Sequence, residues 1–131
     1  MEGMELINTD LAPEAVGPYS QAAQVGNLIY LSGQIPIDPE TQELCLFDGD
    51  VTKQAELVIS NIQGVLQSKG LTLKDIFKTT IFLTDMADFA AVNEVYAKAF
   101  GNHRPARSTI AVAGLPKGVS VEIESIATTQ G

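Results

Sequence analysis

The 131-residue sequence predicts an α+β fold, a mixed sheet with two helices packed on one of its faces. Three observations carry that prediction. Two segments repeat apolar residues at helical spacing. The segments around them are short, rich in β-branched residues and punctuated by Gly, Pro and Asn. Their order, strand, hairpin, helix, strand, helix, hairpin, is that of a sheet backed by two helices. The length suits one domain, 1–131, with room for a real core but not for two independent ones.

"MELIN" at residues 4–8 reads as a short strand, and the prolines and glycine of "TDLAPEAVGP" mark a loop after it. "YSQAAQV" and "LIYLSG" flank "GN", a glycine-led turn, which predicts a hairpin from Tyr19 to Gly33. Residues 34–49 read as an irregular surface connection. Ala55, Val58, Ile59, Ile62, Val65 and Leu66 define the first helix, with Asp50 or Thr52 to cap its start and Gly70 to end it. "DIFKTTIFLTD" predicts a central strand, apolar on both faces. A second helix starts at Asp88, carries Phe89, Val92, Tyr96 and Phe100 as its stripe and stops at Gly101. Two further strands joined at "AGLPKG" complete the chain. No helix is left for the second sheet face, and 45% hydrophobic against 18% charged residues is a generous ratio for so small a body. Both facts predict that subunits pack sheet to sheet.

The net charge is −8 and the basic residues are scattered apart from Arg104 and Arg107, so no basic stripe exists to track a phosphate backbone, and nucleic acid is not an expected partner. The lone Cys45 excludes an intramolecular disulfide, and neither a leader nor a membrane-spanning apolar run is present, which points to the cytoplasm and away from membranes. One histidine and one cysteine cannot form a His/Cys metal site. No calcium-loop spacing, GxGxxG or GxxxxGK[ST] occurs, so neither metal nor cofactor is expected.

"RPARSTIAVAGLPKGVSVEIES", residues 104–125, holds both arginines together with Glu122 and Glu124. If its two strands pair as a hairpin that buries Ile110, Val112, Val119, Val121 and Ile123, then Arg107, Thr109, Glu122 and Glu124 share the opposite face. Neighbours on one face of a strand are ~6.6 Å apart. Arginine offers a planar fork for a carboxylate, and a glutamate beside it can take or give a proton. Such a pair suits a small carboxylate-bearing molecule undergoing proton transfer or attack by water; a cross-strand salt bridge on a solvated face fits the pattern equally. Asn93 lies on the second helix's apolar stripe, as a pocket amide or as a boundary residue that caps a loop. Tyr19, Ser32 and Gly33 offer hydroxyls and close-approach backbone, or serve as turn residues. His103 is read as a surface residue and Cys45 as a packed one without chemistry.

"PARSTIAVAGLPKGVSVEIESIA", with "APEAVGPYSQA", "YLSGQIPIDPETQE", "KTTIFLTDMADFAAVNEVY" and "RPARS" in order, resembles the reactive intermediate deaminase family, also called the YjgF or Rid family, over nearly the whole chain. The resemblance implies a chorismate-mutase-like fold, a homotrimer with three sites between subunits, and cofactor-free hydrolysis of 2-aminoacrylate or 2-iminopropanoate, intermediates leaked by pyridoxal-phosphate enzymes, to pyruvate and ammonia. It also implies that Arg107 anchors the substrate carboxylate, that Glu122 positions or activates water, and that Tyr19, Ser32, Gly33, Asn93 and Thr109 line the pocket. Many members read "ARSCVEVARLP" where this chain reads "ARSTIAVAGLP", so Thr109 stands for a pocket cysteine, Ala111 for a glutamate and Gly114 for an arginine. Two other functions are carried forward. One is a regulatory module that binds a small carboxylate without chemistry; the other is ribonuclease or translation inhibition, attached by name to parts of that family and opposed by the acidic balance.

Overall fold

Strand β1 (Met4–Ile7) pairs antiparallel with β2 (Ala22–Val25), which turns through Gly26 at φ 59° into β3 (Leu28–Gln34). The left-handed backbone at that turn suits glycine. Helix α1 (Val51–Gln67) begins where the Asp50 carboxylate accepts from the backbone N–H groups of Thr52 and Lys53, satisfying two donors that have no partner inside the helix. Strand β4 (Ile76–Leu83), helix α2 (Phe89–Phe100), β5 (Ala106–Ala111) and β6 (Val121–Thr128) follow. The computed structural model describes residues 3–129, and in them the six strands form one mixed sheet in the order β1-β2-β3-β6-β4-β5.

The predicted final hairpin does not form. β5 pairs in parallel with β4, and β6 lies between β3 and β4, antiparallel to both. The cause is connectivity: α2 carries the chain from β4 back to a parallel neighbour, as a helical crossover requires. β6 then fills the interior position, where both edges of its ladder are bonded. The strand read as central, β4, is interior, with β5 alone beyond it at the edge.

Both helices pack on one face. Val58, Ile62, Val65 and Leu66 of α1 and Val92, Tyr96 and Phe100 of α2 meet Ile29, Leu31, Ile81, Leu83, Val121 and Ile123 of the sheet in a single core. Each such side chain contributes about 1.5–3 kcal/mol by leaving water. On the opposite face Leu6, Val25, Tyr30 and Ile110 stand exposed. Ile110, expected in the core, is therefore on the open side, and Arg107 and Thr109 take the helix side of the edge strand.

Candidate active site

Irregularity in the β3–β6 ladder shapes the first part of the site. The pairing runs Leu31 with Ser125, then Gln34 with Ile123, so Ser32 and Gly33 fall in a register shift opposite the single residue Glu124 of β6. The Ser32 hydroxyl donates to the Ser20 carbonyl at 2.6 Å, and its N–H donates to the Gln21 carbonyl at 2.9 Å. Gly33 leaves room for the Glu122 side chain, and it has no positive φ to explain it. A Cβ there would meet the Glu122 carboxylate and lie 2.9 Å from its Cδ, closer than real Cβ atoms approach. The Glu122 side chain thus lies flat on the Gly33 backbone.

These residues open on a cleft of about 510 Å³, lined also by Tyr19, Pro13–Val16, Lys117 and Glu124. The Gln21 side chain, 2% exposed, holds the wall of that cleft. Its Oε1 accepts from Thr9 N–H, and its Nε2 donates to the carbonyls of Thr9, Ala12 and Pro13. One buried amide so satisfies a loop that has no ladder of its own. Tyr19 is exposed at the cleft mouth and precedes β2 rather than opening it.

Burial, with a smaller contribution from the charge of Glu124, raises the pKa of Glu122 above the ordinary carboxylate value. Among the described residues no donor or cation forms a hydrogen bond or ion pair with its carboxylate. A carboxyl group so placed can exchange a proton closer to neutral pH than a solvated glutamate can.

The second part of the site lies on the helix side of the sheet edge. Arg107 Nη1 donates to Asn93 Oδ1 at 2.7 Å, and its Cζ stands 4.9 Å from the Tyr96 ring centroid and 5.7 Å from that of Phe89. Thr109 follows on the same face, its hydroxyl buried without a partner among the described residues. This corner is packed: Ile81, Leu83, Phe89 and Val92 close around Asn93, Arg107 and Thr109.

Register decides how the two parts relate. Thr79 pairs with Arg107 and Ile81 with Thr109, and these β4 residues face the helices. Phe82 pairs with Glu122 and Thr80 with Glu124, on the open face. Tyr19, Ser32, Gly33 and Glu122 are thus brought together, as are Asn93, Arg107 and Thr109. The shared face expected for Arg107 and Glu122 is overturned, because their register partners on β4, Thr79 and Phe82, point to opposite faces. Within one chain the two side chains leave opposite sides of the sheet across two strand spacings, about 10 Å.

Sequence reasoning missed Gln21, whose neighbours read as a polar strand start, and Lys117, which reaches the cleft from a turn at φ 56°. It placed Tyr96 only in the core stripe. His103, expected on the surface, is half-buried, with Nε2 2.6 Å from the Ile76 carbonyl. Among the described residues no three His, Cys, Asp or Glu side chains are grouped to hold a metal ion, and no helix is long and apolar enough to cross a membrane.

Residues 9–129 match the family described as Endoribonuclease L-PSP. A RutC family protein of Pyrococcus abyssi is 50% identical over 123 residues, covering 94% of this chain and 95% of its own. TdcF of Escherichia coli K12, whose name gives it provisionally as a reactive intermediate deaminase, is 44% identical over 126 residues, covering 94% and 95%. The crystal structure of E. coli TdcF with bound serine superposes with a TM-score of 0.88 over 95% of this chain and 98% of that one, at 44% identity. RidA from the Antarctic bacterium Psychrobacter sp. PAMC 21119 gives a TM-score of 0.89 at 48% identity, covering 95% and 98%.

Proposed function

The chain belongs to the endoribonuclease L-PSP family, which includes RutC and Rid proteins, and from that membership and the Glu122 cleft we propose that it hydrolyses small enamine and imine acids, 2-aminoacrylate and 2-iminopropanoate, to 2-oxo acid and ammonia. The observation that carries the proposal is Glu122: a half-buried carboxyl of raised pKa, without a partner among the described residues, laid on Gly33 in a cleft large enough for a three-carbon acid.

An imine carbon is already electrophilic, so the reaction needs a held substrate, a placed water and a proton carrier. The enamine enters as its imine tautomer, protonated on nitrogen. Glu122 takes a proton from water as the water oxygen bonds to the iminium carbon, and the C=N π pair moves to nitrogen, leaving a neutral amine. Glu122 then returns that proton to nitrogen; the C–N bond breaks, ammonia leaves with the electron pair, and the hydroxyl gives its proton to the Glu122 carboxylate, and thence to solvent, as the carbonyl forms. Arg107 holds the substrate carboxylate through the donors that Asn93 leaves free, with Thr109 beside it. Because Arg107 and Glu122 occupy opposite faces of one sheet, the reading requires a site shared between copies, with the Arg107 edge of one subunit against the Glu122 cleft of the next, and the family resemblance makes that assembly a homotrimer. Exposed Leu6, Val25, Tyr30 and Ile110 support sheet-face packing between copies.

The test couples a dehydratase that generates 2-aminoacrylate to pyruvate detection. Faster pyruvate release with this protein is the expected result, and an unchanged rate across several amino-acid-derived imines contradicts the reading. Serine bound to TdcF favours, as a second reading, a small-molecule binding module. Glu122→Gln separates the two: an enzyme loses turnover and keeps ligand affinity, whereas a binder with an idle Glu122 never turns over in either form.

A further inference from the structure

We propose that Tyr96 is a positioning residue for Arg107, fixing the height and tilt of its guanidinium so that its free donors face outward for a carboxylate. The inference rests on the reading of Arg107 as substrate anchor and goes beyond it to the device that aims the anchor.

The geometry forms a closed circuit. Thr79 and Arg107 are register partners in the parallel ladder, so their backbones are fixed side by side. Thr79, fully buried, shares a 2.7 Å hydrogen bond between its Oγ1 and the Tyr96 hydroxyl. Tyr96, 5% exposed, stacks on Phe100 with ring centroids 4.4 Å apart. The guanidinium of Arg107 then lies 4.9 Å over the Tyr96 ring. The ring can neither slide along the strand, because its hydroxyl is tied to the residue opposite Arg107, nor swing away, because Phe100 supports it. Phe89 and Asn93, on successive turns of α2, complete the clamp. A long arginine side chain loses much rotamer freedom on binding a ligand, and immobilising it beforehand removes that cost from the binding step. Burial, opposed by the Thr79 hydrogen bond and the nearby guanidinium, raises the Tyr96 pKa and keeps the phenol neutral.

An anchor that is pre-aimed affects how well substrate binds and leaves the proton transfer at Glu122 untouched. Tyr96→Leu removes the aromatic shelf. The expected result is a rise of about five- to tenfold in KM for the imine and in Kd for pyruvate, the range a partly desolvated cation–π contact allows, with kcat within about twofold of the parent. Tyr96→Phe keeps the ring and rescues most of that loss; Thr79→Val matches Tyr96→Phe, and their combination costs no more than either alone. Should Tyr96→Leu fail to fold, NMR of the parent protein decides. The Arg107 Nε–H resonance is expected upfield of free arginine through the Tyr96 ring current and restored toward the free position by disorder of the clamp. A free-arginine shift in the folded parent, or unchanged pyruvate Kd in folded Tyr96→Leu, overturns the proposal. A parent that hydrolyses no imine yet shows the shifted resonance sinks the deaminase reading and leaves the clamp standing.

Discussion

The Glu122 carboxylate occupies the space a side chain at Gly33 would take, and this makes a prediction that charge alone does not. Gly33→Ala places a methyl group against the carboxylate, and Glu122 must leave its shelf. Expected are a melting temperature close to the parent's, because the flexible carboxylate can swing into the cleft, and loss of imine hydrolysis by about tenfold or more, as for a displaced general base. Thermal unfolding and the coupled pyruvate assay check the two halves. Glu124 acts on the same carboxyl through its charge. Glu124→Gln therefore lowers the pKa of Glu122 and moves the acid limb of kcat/KM to lower pH. The sign for stability is the reverse of a salt-bridged carboxylate. A raised folded-state pKa gives stability that is present below the unfolded value and lost as pH rises through the folded one, so Glu124→Gln also flattens that loss on the neutral side. Glu122 and Arg107 were legible as residue types, because few other side chains in so acidic and His-poor a chain can do this chemistry. Their separation onto two faces was not. It depends on the register each strand takes against β4, and no local spacing records that.

At the scale of elements, both helices and all six strands were legible where periodicity and punctuation agree: the Asp50 cap, the Gly26 turn and the stop at Gly101 each sit where turn chemistry predicts. The error lay in pairing. "AGLPKG" resembles a hairpin connection, yet it carries the chain past β4: the β4–α2–β5 crossover put β5 on one side of β4, and β6 takes the other side, between β3 and β4. The alternating burial of β6 is clean, whereas edge strand β5 alternates only between half-buried and exposed, and Ile110 misled the register. The Asp50 cap yields a separate prediction. The hydrogen bond from the Thr52 hydroxyl, followed by backbone donors and Lys53 and opposed by desolvation, lowers the Asp50 pKa. Its stabilisation is thus present above the usual carboxylate range and lost as pH falls through the folded value. Asp50→Asn keeps an N-cap and should flatten the acid-side slope of urea-unfolding stability, while Asp50→Ala should lower stability throughout the neutral range.

The whole molecule has one well-covered face and one that shows Leu6, Val25, Tyr30 and Ile110 to solvent. Composition anticipated that imbalance, and under the proposed function Arg107 and Glu122, which leave opposite faces of one sheet, meet across a boundary between copies. Arg107→Ala and Glu122→Gln should each be inactive alone. Unfolded together in equal amounts and refolded with random assortment into the proposed trimers, they should regain about one quarter of the parent activity, because a site is intact when one neighbour keeps its arginine and the other its glutamate, a half times a half. No recovery in mixed trimers that have formed, or full activity in either variant alone, would contradict a site shared between subunits.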